Sequence, residues 1–74
     1  MNPLFIKSAT EFAANPCFET HRDFCYHMNL MWGMSEAEAK AGANLWAVRC
    51  MTRDEVFGPV FDADLEAARI YSEM

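Results

Sequence analysis

Between residues 17 and 32 the apolar positions recur at helical rather than alternating spacing. At about 100° per residue, Cys17, His21, Phe24, Cys25, Met28, Met31 and Trp32 fall in one broad stripe, while Glu19, Arg22, Asp23 and Asn29 lie away from it. The next segment differs. Ala37, Ala41, Leu45 and Val48 line one face, and Ala39, Ala43, Trp46 and Cys50 line the opposite one. A helix apolar on two faces must be covered on both. The segment is therefore expected either at the centre of a bundle or with one face against another molecule, and its small residues, Gly42 included, suit a close helix neighbour. No segment alternates with period two, and no Asn-Gly or Asp-Gly hairpin turn occurs. The expected fold class is all-α.

Helix-start signals divide the chain. Ser8 with Glu11 forms a capping-box pattern, and the helix it opens should stop at Asn15-Pro16. Asn15 can then cap a second helix with Pro16 at its first position, where a missing N–H costs nothing, and Gly33 should end it after Trp32. Ser35 with Glu38 repeats the box before a helix through Met51, and Thr52 with Glu55 repeats it before a turn or two ending at Gly58-Pro59. A last helix is expected from about Asp62, with Asp62, Asp64 and Glu66 at the positive end of its dipole. The expectation is a compact bundle of three to four short helices in a single domain over residues 1–74, the second and fourth packed on the third.

Composition sharpens this picture in one respect. The chain is 53% hydrophobic in only 74 residues, so a small interior leaves apolar surface for an interface. The net charge of −5, from eleven acids against six bases, argues against direct nucleic-acid binding, where Lys and Arg supply most of the affinity. It also disfavours anionic membranes, and no apolar run approaches the ~20 residues that span a bilayer. Three cysteines without a disulfide-framework spacing, and an opening without a signal-peptide pattern, point to a reducing cytoplasm.

The stretch CFETHRDFCYHM, residues 17 to 28, holds the candidate chemistry. Cys17, His21 and Cys25 at successive i+4 positions extend over ~12 Å, too far for one ion with bonds of ~2.0–2.3 Å. One adjacent pair could supply two ligands, the rest coming from Cys50, His27 or a second chain. The plainer expectation is that both cysteines act as small hydrophobes and His21 as a hydrogen-bonded core histidine, with no metal, no cofactor and no catalytic residue. A Cys/His nucleophile would need an activated thiolate and an oxyanion hole, and no nucleophile signature is present.

Two short stretches carry local resemblances. EVFGPVFDADLEAARI resembles the aldehyde dehydrogenase segment in which Glu-x-Phe-Gly-Pro precedes an acidic residue and a helix, which would imply a cofactor-holding role for Glu55. The cofactor domain of those enzymes does not fit in this chain, and Glu55 also reads as part of a capping box. MWGMSEAEAKAG resembles the loop of ubiquitin-associated domains, implying a ubiquitin-binding surface at Trp32, Gly33 and Met34; the same residues read as a C-cap followed by an N-cap.

The function expected from these constraints is non-catalytic binding of another protein, as an inhibitor, adaptor or regulatory subunit. Its partner would carry a basic or apolar patch. The composition is similar to that of small one-domain proteins with which bacteriophages block host enzymes. The expected partner face is Ala39, Ala43, Trp46 and Tyr71, with Asp62, Asp64 and Glu66 as an acidic rim. Homodimerisation through that face is the competing expectation. Two alternatives are an acidic imitation of DNA, using Asp54, Glu55, Asp62, Asp64 and Glu66, and a Cys/His metal or redox protein.

Overall fold

Asn2, not Ser8, starts the first helix. In the computed structural model, which describes residues 2–50 and 59–73, the Asn2 side chain accepts the Leu4 N–H at 2.9 Å, and Pro3 takes the first helical position of α1 (Pro3–Ala14). Ser8 lies inside that helix, its hydroxyl donating to the Phe5 carbonyl at 2.7 Å. The Ser-x-x-Glu pattern was outcompeted by an earlier Asn-Pro start with a better-placed apolar stripe. Phe5, Ser8, Ala9 and Phe12 recur at i, i+3, i+4 and i+7, and all four are buried.

The second start also shifts by two residues. Asn15 is the C-cap of α1, and α2 (Phe18–Met31) is entered through Cys17. Thr20 closes the junction. Its Oγ1 accepts the Cys17 N–H at 3.1 Å and its hydroxyl donates to the Asn15 carbonyl at 2.7 Å. The exit is as expected. Gly33 has φ of 95°, the Gly33 N–H reaches the Leu30 carbonyl at 3.1 Å, and the Met34 N–H reaches Asn29 at 3.2 Å. These two bonds form the Schellman arrangement, which satisfies carbonyls that the helix itself leaves open.

Ser35 caps α3 (Glu36–Cys50), its Oγ accepting the Glu38 N–H at 3.2 Å and donating to the Glu38 carboxylate at 2.9 Å. The expected helical turn at Thr52–Glu55 and its Gly58 stop fall outside the described residues. Pro59, expected to close that turn, instead opens α4 (Pro59–Ser72), three residues ahead of the expected Asp62 start.

The fold is all-α, with four helices and no strand among the described residues. Its centre is not α3. Helix α2 packs against α3 on one side and against α1 on the other, and α1 packs against α4. The aromatic core lies among α1, α2 and α4. Phe5 stacks on Phe24 at 5.4 Å between ring centroids, and Phe12 meets Phe24 at 5.6 Å and the edge of Phe61 at 5.3 Å. Each fully buried ring contributes about 1.5–3 kcal/mol relative to an exposed one. The α2–α3 seam is built from Ala39, Ala43 and Ala47, all fully buried. Gly42 brings α3 so near that a Cβ there would meet the Asn29 amide nitrogen at 3.3 Å, and that amide donates to the Ala39 carbonyl at 3.2 Å.

Candidate functional site

One turn of α2 carries both His21 and Cys25 on the face turned to α4, which supplies Asp64. The His21 ring is 1% exposed and lies between aromatic rings, stacked on Phe12 at 5.0 Å and edge-on to Phe61 at 4.9 Å. A buried imidazole needs a polar partner. Its Nε2–H donates to Asp64 Oδ2 at 2.8 Å, and the Trp46 indole N–H of α3 donates to the same oxygen at 3.0 Å. One carboxylate oxygen therefore joins three helices.

Cys25 completes the group. Its sulfur, the His21 ring nitrogen and an Asp64 oxygen all lie within 4.8 Å of one another. Electrostatics divides their behaviour. Burial alone would raise the Asp64 pKa, but the hydrogen bonds from His21 and Trp46, and the charge of His21, outweigh it and hold the carboxyl below its ordinary range. Burial, followed by the negative charges of Asp64 and Cys50, pushes the Cys25 thiol up to about 12. Cys50, at the buried end of α3, is raised by burial and by Asp64. A cysteine beside a His–Asp pair has the residue types of a nucleophilic triad. The attacking species, however, is the thiolate, and a thiol held this high stays protonated near neutral pH.

Above the group a cleft of about 400 Å³ opens between α2 and α3. Met28, Trp32, Met34 and Trp46 line it, with Cys25 and Asp64 among its deeper residues. Trp32 is 76% exposed, and Met34 and Trp46 are about two-fifths exposed (41% and 42%).

The sequence-predicted residues separate accordingly. Ala39 and Ala43 are not part of a free face, because they are sealed in the α2–α3 seam. The exposed side of α3 carries Leu45 and Val48 instead. Tyr71 is half-buried with its ring edge-on to Phe5 at 4.9 Å, so it belongs largely to the core. Asp62 and Glu66 are exposed, but Asp64 turns inward and does not stand beside them as a rim. The inward turn also removes it from any row of acids imitating phosphates; Asp54 and Glu55 lie outside the described residues. Cys17 is set apart at the entry of α2, its sulfur 3.3 Å from Thr20 Oγ1, and His27 packs on Tyr26.

Sequence reasoning missed the meeting of Asp64 with His21 and Cys25. The signal was periodic. Phe61, Leu65 and Ala68 form the inward stripe of α4, and Asp64, three residues after Phe61, lies on that stripe.

No family model matches this chain, and comparison with curated proteins and with solved structures finds no similar one. Among the described residues, no helix is long and apolar enough to cross a membrane.

Proposed function

We infer that this protein acts non-catalytically by binding another protein, its partner seating an apolar or aliphatic basic side chain in the cleft between α2 and α3. The carrying observation is the wall of that cleft, two tryptophans and two methionines at a mouth where Trp32 is 76% exposed. Aromatic side chains and Met are the types that anchor interfaces, and an indole face also receives a Lys or Arg side chain. Charge favours a foreign partner over a second copy. At −5, with Asp62 and Glu66 exposed on α4, one copy repels another and attracts a basic surface from a distance. The Cys25 thiol, held protonated near neutral pH in the metal-free chain, fits a role without nucleophilic chemistry.

Trp32→Ala is the discriminating variant, because it empties the mouth while leaving the core and the Asp64 hydrogen bonds in place. The immobilised full-length chain, exposed to extract of its source cells, should retain a basic protein at low salt. Purified, that protein should bind at least about tenfold more weakly to Trp32→Ala and more slowly as salt rises. Sedimentation should show the chain alone as a monomer. A retained protein indifferent to Trp32→Ala would overturn the reading. So would a dimer dissociated by that substitution, which would make the occupant a second copy.

A further inference from the structure

We propose that His21, Cys25 and Asp64 form a site for a single zinc-type divalent cation that fastens α2 to α4. The proposal stands apart from the protein-binding reading and concerns only the floor of the cleft. Three donors of different chemistry converge from two helices 43 positions apart in sequence at their closest polar contact, and all three ligand atoms lie within 4.8 Å of one another.

The geometry is near what such an ion requires. Four-coordinate zinc with bonds of ~2.0–2.3 Å sets its ligand atoms roughly 3.3–3.8 Å apart. The His21–Asp64 contact, now 2.8 Å, would open by about half an ångström and the longer separations close by up to about one, within side-chain rotation. The cation takes the place of the hydrogen that Nε2 now donates to Asp64. The imidazole then carries its hydrogen on Nδ1, and the Cys25 thiol releases a proton to solvent as its sulfur becomes a thiolate ligand.

Electrostatics supports the same assignment. The anionic neighbours that oppose ionisation of Cys25 in the metal-free chain are the charges a cation would offset. Trp46, donating to Asp64, is the outer hydrogen bond that orients a carboxylate ligand. Water entering through the cleft, which reaches Cys25 and Asp64, would take the fourth position. The cleft provides an entry path to Cys25 and Asp64. A thiolate, an imidazole and a carboxylate together suit zinc over magnesium or calcium, which take oxygen ligands. There is also a structural use. A chain of 74 residues is in the size range where a metal can supply stability that the core alone does not.

Cobalt(II) is the probe, used on the full-length, reduced, chelator-stripped protein. One equivalent should produce a thiolate-to-cobalt charge-transfer band and the intense visible bands of four-coordinate cobalt, both displaced by zinc. Cys17→Ser should leave them unchanged. Cys25→Ser should weaken cobalt binding at least about a hundredfold and Asp64→Asn at least about tenfold, with circular dichroism reporting helicity for each. Zinc should raise the melting temperature of the wild type. X-ray absorption on the zinc-loaded wild type does not depend on any variant folding, and should show sulfur at ~2.3 Å beside nitrogen and oxygen at ~2.0 Å. No charge-transfer band at stoichiometric cobalt, a band that survives in Cys25→Ser, or a coordination shell without sulfur would each overturn the site.

Discussion

The two sides of α2 are built from opposite kinds of residue. Towards α1 and α4 it meets phenylalanines: Phe5, Phe12 and Phe61 close around Phe24 and His21. Towards α3 it meets Ala39, Ala43 and Ala47, and Gly42 leaves the space of a Cβ to the Asn29 amide. The aromatic side holds by volume, since each ring fills space that nothing else would fill. The alanine side holds by proximity, since small side chains let two backbones approach. The two designs fail in opposite directions, which makes them separable by experiment.

Removing volume should hurt the aromatic side most. Phe12 touches Phe24, His21 and Phe61 at once, so Phe12→Ala should cost about 3–5 kcal/mol, measured by urea denaturation in the metal-free protein. That is a large part of the stability available to a small domain, and the urea midpoint of the variant should fall accordingly. A loss below about 1 kcal/mol would mean that the helices collapse around the space and that the rings do not set the spacing. Adding volume should hurt the other side. Ala39→Leu places a large side chain at a fully buried position of the seam and should cost up to about 3 kcal/mol, as overpacking does. If it were neutral, α3 would be sliding on α2, and the cleft walled by Trp32 and Trp46 would change width with it.

This contrast also explains what could be read without coordinates. The α2 stripe predicted His21, Phe24 and Cys25 as buried because one strong period left no other face to bury. On α3 both faces carry apolar residues, so the period is silent about which side packs; the alanines won because only they permit the close approach. The capping patterns were legible where no competitor stood nearby, as at Ser35, and misleading where Asn2-Pro3 or Pro59 offered an earlier start. For the candidate site, two of the three residues were legible. His21 and Cys25 share a face by spacing alone, but Asp64 reaches them through a long-range packing of α4 that local signals do not encode.

At the junction of the two sides stands Asp64, and its effect should be smaller and pH-dependent. Asp64→Ala leaves a buried imidazole and an indole N–H without their acceptor, a cost of about 1–2 kcal/mol. The titratable groups against the carboxylate are His21 and Cys25 from α2, and its charge is also felt at Cys50 of α3. Because the folded-state pKa of Asp64 lies below its unfolded value, the stabilisation is present above the unfolded pKa near 4 and is lost as pH falls through the folded one. Thermal melts of metal-free protein should show the wild type losing more stability than Asp64→Asn on acidification through that window. Parallel curves would show that the carboxylate is not held in its charged form by His21 and Trp46.

Gly42→Ala is the smallest change and the most informative about the alanine side. A glycine inside a helix costs roughly 0.5–1 kcal/mol relative to alanine, so the substitution gains that amount if the space exists. The new methyl would meet the Asn29 amide nitrogen at 3.3 Å, tighter than ordinary contact, but the atom it meets is the end of a side chain and can yield. A few tenths of an ångström would relieve the contact while keeping the bond to Ala39. The expected result is a net gain of about 0.5 kcal/mol, rising towards 1 in an Asn29→Ala background, where nothing opposes the methyl. A net loss that persists in that background would place the obstacle in the α2 backbone itself, and the distance between the two helices would then be fixed by main chain against main chain, with no slack for a cleft that widens to admit a partner.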